Sequence, residues 1–454
     1  MKKSLSLLVM LSLLVGLLVA PVAAQDPVVI DWFVGLGTGT DQLQIDTQRA
    51  VVEAFNASHD DIELRLTLAA SNAVAVDTLS TLIAGNTPPD IVGPVGFTGA
   101  NSFAGQWLDL APLVESSGYD LSQYPESLIN LYRTSEGLIG IPFAVFPALL
   151  FYNVELFDEA GLNYPPSEFG VPYVMPDGTE VEWTYDTLAE IAQILTVDAN
   201  GSDASMEGFD PAAIEQFGFI HQWSSQRAEL STFGGAEFYD DETGEVTIPE
   251  WWAAQAEFTR AGLWDKHFMP NSTYENSQLF TPTVFASGRA AMARVQLWYT
   301  CCLGDLTAQW DLAVVPSYSG GTFAPTDADT YRILASTDHP NEAFTVLTYL
   351  QGEAALELLT TYGAFPALLS LQEPAIAAKA EQYPSVQNWG VITPSLEYAA
   401  VPNHEYYYPG FNQGEQRFAD FRTLMYGDTG ADIDLAAELA RLQADLQAIV
   451  DEAK

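Results

Sequence analysis

Val28 to Val34 is an unbroken apolar run rich in β-branched and aromatic residues, the composition of a strand buried on both faces. A glycine-rich loop, Gly35-Leu36-Gly37-Thr38-Gly39-Thr40, follows it. Leu43, Thr47, Val51, Ala54 and Phe55 then recur at helical spacing and predict a helix with one apolar face. Ile62 to Leu68 alternates as a second strand. Ala75 to Ala84 reads as a helix stopped by Gly85-Asn86 and Pro88-Pro89, and Ile91-Val92 as a short third strand. Strands alternating with helices in this order predict an α/β fold, its parallel-rich sheets flanked by helices.

Beyond Gly140 the same grammar continues. Ile141-Pro142-Phe143 leads into a buried strand over Ala148 to Tyr152, and Gly161 is placed to cap the helix that follows Asn153 in a left-handed conformation. Tyr185 to Leu195 predicts a helix capped by Thr184. In the loop from Val197 to Asp210, Asp198, Asn200, Ser202 and Asp203 are spaced like calcium ligands. Asp203 stands where an EF-hand loop needs glycine, so the segment predicts a solvated turn. Leu435, Leu439, Leu442, Leu446 and Ile449 form one face of a C-terminal helix packed on a core.

The N-terminus has a different logic. Lys2 and Lys3 precede an apolar stretch from Leu5 to Ala20, and Val22-Ala23-Ala24 supplies the small residues of a cleavage site. Residues 1–24 are therefore expected to be a signal peptide, removed on export. The cleavage site carries no cysteine, so lipidation there has no acceptor. The expected product is an exported, soluble monomer, in the periplasm or at the cell surface.

Charge narrows the function further. With 16 Lys and Arg against 60 Asp and Glu, the net charge is -44. No basic patch is available for phosphates, which excludes a nucleic-acid binder and opposes docking to anionic lipid. Hydrophobic residues at 48% are enough for a large core. None of the 5 histidines has a partner at metal-ligand spacing, and no HExxH, GxSxG or Walker motif occurs. Gly35 to Gly39 matches half of a dinucleotide fingerprint, with Thr40 at the third glycine position. No cofactor or metal is expected. A carboxylate pair could still serve a secreted carbohydrate-active enzyme.

A set of ordered segments carries a family resemblance. Val29-Ile30-Asp31-Trp32 is followed by Val52-Glu53-Ala54-Phe55-Asn56, then by Ile83-Ala84-Gly85-Asn86-Thr87-Pro88-Pro89-Asp90-Ile91-Val92 and Trp107-Leu108-Asp109-Leu110-Ala111-Pro112. Gly137 to Pro142, Phe151-Tyr152-Asn153 to Phe157, Trp183 to Leu188, Phe285 to Met292 with Trp298, His339 to Phe344 and Gly363 to Ala367 continue it. In this order they resemble the carbohydrate-class extracellular solute-binding proteins of ABC importers, the group that includes maltose-binding protein. The resemblance implies the two-lobed periplasmic-binding-protein fold of class II type, with a ligand cleft between the lobes. It implies crossings near Phe143, Thr330 and Phe365. The N-terminal lobe would then be 25–142 and 331–365, and the C-terminal lobe 143–330 and 366–454. The implied function is capture of a mono- or oligosaccharide and its delivery to membrane permease subunits by lobe closure, without catalysis. A binder of glycerol-3-phosphate or another polyol ester on the same fold is the alternative.

Sugars present apolar C–H faces rimmed by hydroxyls, so their clefts use aromatic platforms with a few convergent polar groups. The resemblance places Gly37, Thr38, Phe97, Phe146, Gln222, Trp223, Trp298, Tyr299 and Arg332 at the cleft. Tyr407 joins them from the cluster Tyr406 to Tyr408, in which alternation points the outer two one way and Tyr407 the other. Phe146 stands near where some members of the family carry a polar sugar contact, which implies a less polar pocket. Cys301 and Cys302, the 2 cysteines of the chain, are adjacent in a protein expected in an oxidising compartment. They are expected to form a strained vicinal disulfide beside the Trp298 platform, the alternative being two reduced, buried thiols that act as small hydrophobes.

Overall fold

A computed structural model of the protein describes residues 26–304 and 306–454. The expected signal peptide lies outside the described residues. No helix among the described residues is long and apolar enough to cross a membrane.

The expected first strand forms over Val28–Val34 and pairs in parallel with Ile62–Leu68 on one side and Ile91–Gly96 on the other. Two helices connect them, Gln42–Ser58 and Ala75–Ala84. The face of the first helix differs from its apolar pattern. Leu43 and Ala54 are exposed, and the inward positions are Gln48, Val51 and Phe55. Gln48 is inside because its amide has partners there: Nε2 donates to the Gly39 carbonyl and to the Tyr362 hydroxyl, both at 3.1 Å.

The rest of the architecture hangs on one 13-residue strand, Ile141–Asn153. The expected strand Ala148 to Tyr152 is only its second half. The first half pairs antiparallel with Thr326–Ile333 and, on its other edge, with Phe365–Pro366. Thr326–Ile333 in turn pairs with Ile91–Gly96, which joins it to the N-terminal strands. The second half pairs with Ala290–Gln296 and Trp310–Ala313, and Ala290–Gln296 pairs in parallel with Ile214–His221. One strand thus belongs to two half-sheets, and its partners change at Pro147 and Ala148.

Local signals account for the ends of elements. Asn153 Oδ1 accepts from the N–H groups of Glu155 and Leu156 and starts the helix Val154–Ala160, which Gly161 ends at φ 66°. Thr184 caps Tyr185–Ile194 by accepting from the Thr187 N–H. The Asp198 carboxylate accepts from the backbone N–H groups of Asn200, Ser202 and Asp210, so it organises its own loop. The C-terminal helix Leu435–Ala453 buries Leu439, Leu442, Leu446 and Val450.

Candidate functional site

Two cavities of about 440 and 450 Å³ share Thr38, Phe146, Trp298 and Asp329 and lie at the junction of the half-sheets. Sheet register explains why side chains converge there. Phe146 is the last residue but one before the long strand changes partners, and it faces Asp327, while Ala144 faces Asp329. Asp327 and Asp329 are two apart on one strand, so both carboxyls point to the same face.

Trp298 rises from the 3₁₀ turn Leu297–Cys302 that follows Ala290–Gln296. Its indole N–H donates to Asp327 Oδ2 at 2.7 Å, which fixes the ring and leaves its face for another group. Trp223 is 54% exposed, sits at φ 51°, and lies nearly parallel to Trp298, with centroids 6.3 Å apart and planes at 15°. A left-handed conformation at a bulky residue is costly, and it turns this ring out of the core. Opposite, the loop after the first strand brings Gly37 and Thr38 to the cavity. Gly37 has φ 115°, its carbonyl accepts from Asn72 Nδ2 at 3.2 Å, and Gln44 Oε1 accepts from the Gly39 N–H at 2.7 Å.

The acidic wall comes from Asp327, Asp329 and Glu405. Thr98 Oγ1 donates to Glu405 Oε1 at 2.7 Å. Buried His404 places Nε2 3.2 Å from Asp327 Oδ1. Burial, with Asp327 and Glu405 close by, pushes the Asp329 carboxyl up to about 7. Burial and then the charge of Asp327 push Glu405 up as well. Asp327, His404 and Glu405 each offer a ligand atom within 4.8 Å of the others. Trp298 takes one oxygen of Asp327 and Thr98 one of Glu405, while Asp327 Oδ1 has no hydrogen-bond partner among the described residues.

The structure brings Gly37, Thr38, Phe146, Trp223 and Trp298 together around this cleft. It places the other expected residues elsewhere. Tyr299 is fully buried, shares a hydrogen bond with the Thr283 hydroxyl, and stands edge-on to Trp223 at 5.5 Å as its support. Gln222 is buried, and its Oε1 accepts from the Phe285 N–H at 3.3 Å. Phe97, Arg332 and Tyr407 line a separate cavity. Tyr406 and Tyr408 turn inward while Tyr407 is 46% exposed. Asp327, Asp329 and Glu405 are cleft residues that sequence reasoning missed. The alternation Thr326-Asp327-Ala328-Asp329-Thr330, which puts two acids on one face of the strand, was the available signal.

The expected disulfide is absent: Cys301 and Cys302 are free thiols. They close a tight 3₁₀ turn, and successive Cα atoms about 3.8 Å apart fall short of the roughly 4.4–6.8 Å that a disulfide spans. Cys301 lines the cleft as a small apolar group.

Comparison with known proteins matches this architecture. The family model described as bacterial extracellular solute-binding protein matches residues 41–357. No curated protein sequence matches. Among solved structures, UspC of M. tuberculosis is similar at 22% identity and a TM-score of 0.71, over 93% of this chain and 100% of its own. The cyclic alpha-maltosyl-1,6-maltose binding protein of Arthrobacter globiformis follows at 16% identity and TM-score 0.70, over 94% and 100%. The sugar-binding protein MalE of Xanthomonas citri has 15% identity and TM-score 0.69, over 93% and 98%.

Proposed function

Because the chain belongs to the bacterial extracellular solute-binding protein family, we propose that it captures a carbohydrate in the cleft at Trp298 and hands it to the permease subunits of an ABC importer, without catalysis. The observation that carries this reading is the Trp298 ring, locked by its hydrogen bond to Asp327 beside Phe146 and three carboxyls. An aromatic face takes the apolar side of a sugar ring, and carboxylate oxygens accept from its hydroxyls. Relatives described as binding maltosyl-maltose and cycloalternan support the same class of ligand.

The working step is closure of the N-terminal lobe (25–142 and 331–365) on the C-terminal lobe (143–330 and 366–454). The segments 143–147 and 326–330, paired with each other at the junction, act as the hinge. Ligand drives closure by favouring the closed state, through contacts from both walls that the open state lacks. A phosphate ester such as glycerol-3-phosphate is disfavoured, since it would meet one cation, Lys379, against the carboxyls of Asp327, Asp329 and Glu405. We further propose that residues 1–24 are cleaved on export and that the product is an unlipidated monomer. Calorimetric titration with a panel of mono- and oligosaccharides tests the function. Saturable binding of at least one is expected, and release of hydrolysis products would instead make the protein an enzyme.

A further inference from the structure

A cavity of about 490 Å³ lies beside the cleft and shares no lining residue with it. The short helix Phe97–Asn101 stands between them, with Thr98 and Gly99 toward the cleft and Phe97 and Asn101 toward this cavity. Such a volume suits a small molecule.

Arg332 lines it and is 1% exposed. Its guanidinium is held over aromatic rings, 5.3 Å from the Trp107 centroid, 5.7 Å from Phe97 and 5.9 Å from Tyr132. No acceptor among the described residues reaches its Nε or Nη2. The other two deeply buried arginines also leave Nε unpaired, but their terminal nitrogens are bonded: Arg227 pairs with Glu415 at 2.8 Å, and Arg294 donates to the Ser224 hydroxyl at 2.9 Å. Burial lowers the pKa of Arg332 to about 10, so it is still charged at neutral pH. Rings soften the cost of burying this cation but cannot accept its fork of N–H bonds. The mouth of the cavity is predominantly of the opposite sign: Glu136, Glu237, Asp240, Asp241 and Glu242 are exposed there and outnumber the single cation, Arg133.

A bare anion would suit the guanidinium and be repelled by the rim. A bare cation would suit the rim and meet Arg332. A molecule with both charges and an apolar body satisfies the two ends and the aromatic walls together. We propose that this cavity is a second small-molecule site, for a zwitterionic amino acid with an apolar side chain. Its carboxylate takes the Arg332 fork, its ammonium faces the acidic rim, and its side chain lies against Phe97, Trp107 and Tyr407. This site stands whether or not the cleft takes a sugar.

The test is calorimetric titration of the purified protein with L-phenylalanine, 3-phenylpropanoate and 2-phenylethylamine, followed in parallel by thermal unfolding. Phenylalanine is expected to bind and raise the midpoint, and each half-ligand to bind at least about tenfold more weakly. Arg332→Met is expected to abolish binding. Because that buried change can prevent folding, Tyr407→Ala at the exposed rim is the second variant. It should keep the unfolding midpoint and lose about fivefold or more in affinity. The proposal is overturned if folded protein shows neither heat nor a shift with millimolar phenylalanine, if phenylpropanoate binds as well as phenylalanine, if folded Arg332→Met or Tyr407→Ala retains full affinity, or if a sugar bound in the cleft displaces the amino acid.

Discussion

Trp298 is half-buried and hydrogen-bonded at its edge, so its face is where it acts. Trp298→Ala should therefore weaken sugar binding by about fivefold or more, since a stacked ring contributes on the order of 1 kcal/mol beyond its buried area. The unfolding midpoint should move little. A large drop in midpoint with unchanged affinity would make the residue a packing element only. Asp329 makes a prediction in pH. Its carboxyl sits at about 7 in the fold, above the ordinary value near 3.8. Between those values the folded chain holds a proton that the unfolded chain has released. This group's contribution is fully present below the lower value and is lost as pH rises through the upper one. Asp329→Asn should therefore raise the midpoint over wild type by at least about 2 °C above neutrality, with the difference vanishing near the ordinary carboxyl pKa. A pH-independent difference would contradict this. The cysteines give a simpler readout: denatured, unreduced protein should titrate with two thiols.

At the scale of elements, close approach sets one position. Gly218 lies on the strand Ile214–His221, and a Cβ there would run into the carbonyl of Ala192 on the neighbouring helix. Its N–H is taken by Thr196 Oγ1 at 2.8 Å. Gly218→Ala should cost about 1–3 kcal/mol by forcing helix and strand apart, read from denaturant midpoints. Elements of this kind were largely legible in the chain. Val28–Val34, Ile62–Leu68 and Tyr185–Ile194 follow from runs and caps that act locally. The length of Ile141–Asn153 was not legible, because Pro142 and Pro147 interrupt a pattern that only sheet pairing completes. The inward turn of Gln48 was hidden for a similar reason, since its partner Tyr362 comes from 314 residues away. At the cleft, Phe146, Trp223 and Trp298 were found where expected, but Phe97, Tyr299 and Tyr407 were not, because a motif fixes a segment and not which way its ring turns. The acids could not be placed, because 60 Asp and Glu hide Asp327 and Asp329, which register aims at the junction, and Glu405, which a turn brings there.

The whole molecule is two half-sheets sharing one strand, and that geometry predicts motion on binding. Small-angle scattering should show the radius of gyration falling when a saturating sugar is added. An unchanged radius, with binding confirmed by calorimetry, would mean that the cleft fills without closure.

The shared strand also has a consequence in time. Thr326–Ile333 is inserted between Ile91–Gly96 and Ile141–Asn153, so neighbours that are close in sequence are separated by a partner from far downstream. A chain emerging from its N-terminus cannot complete its first half-sheet until residue 366 has appeared. Closing such long loops precedes the contacts that reward it, which makes folding slow. For a protein of an extracellular family this delay is useful: a nascent chain that has not yet locked is one that can still be threaded across a membrane.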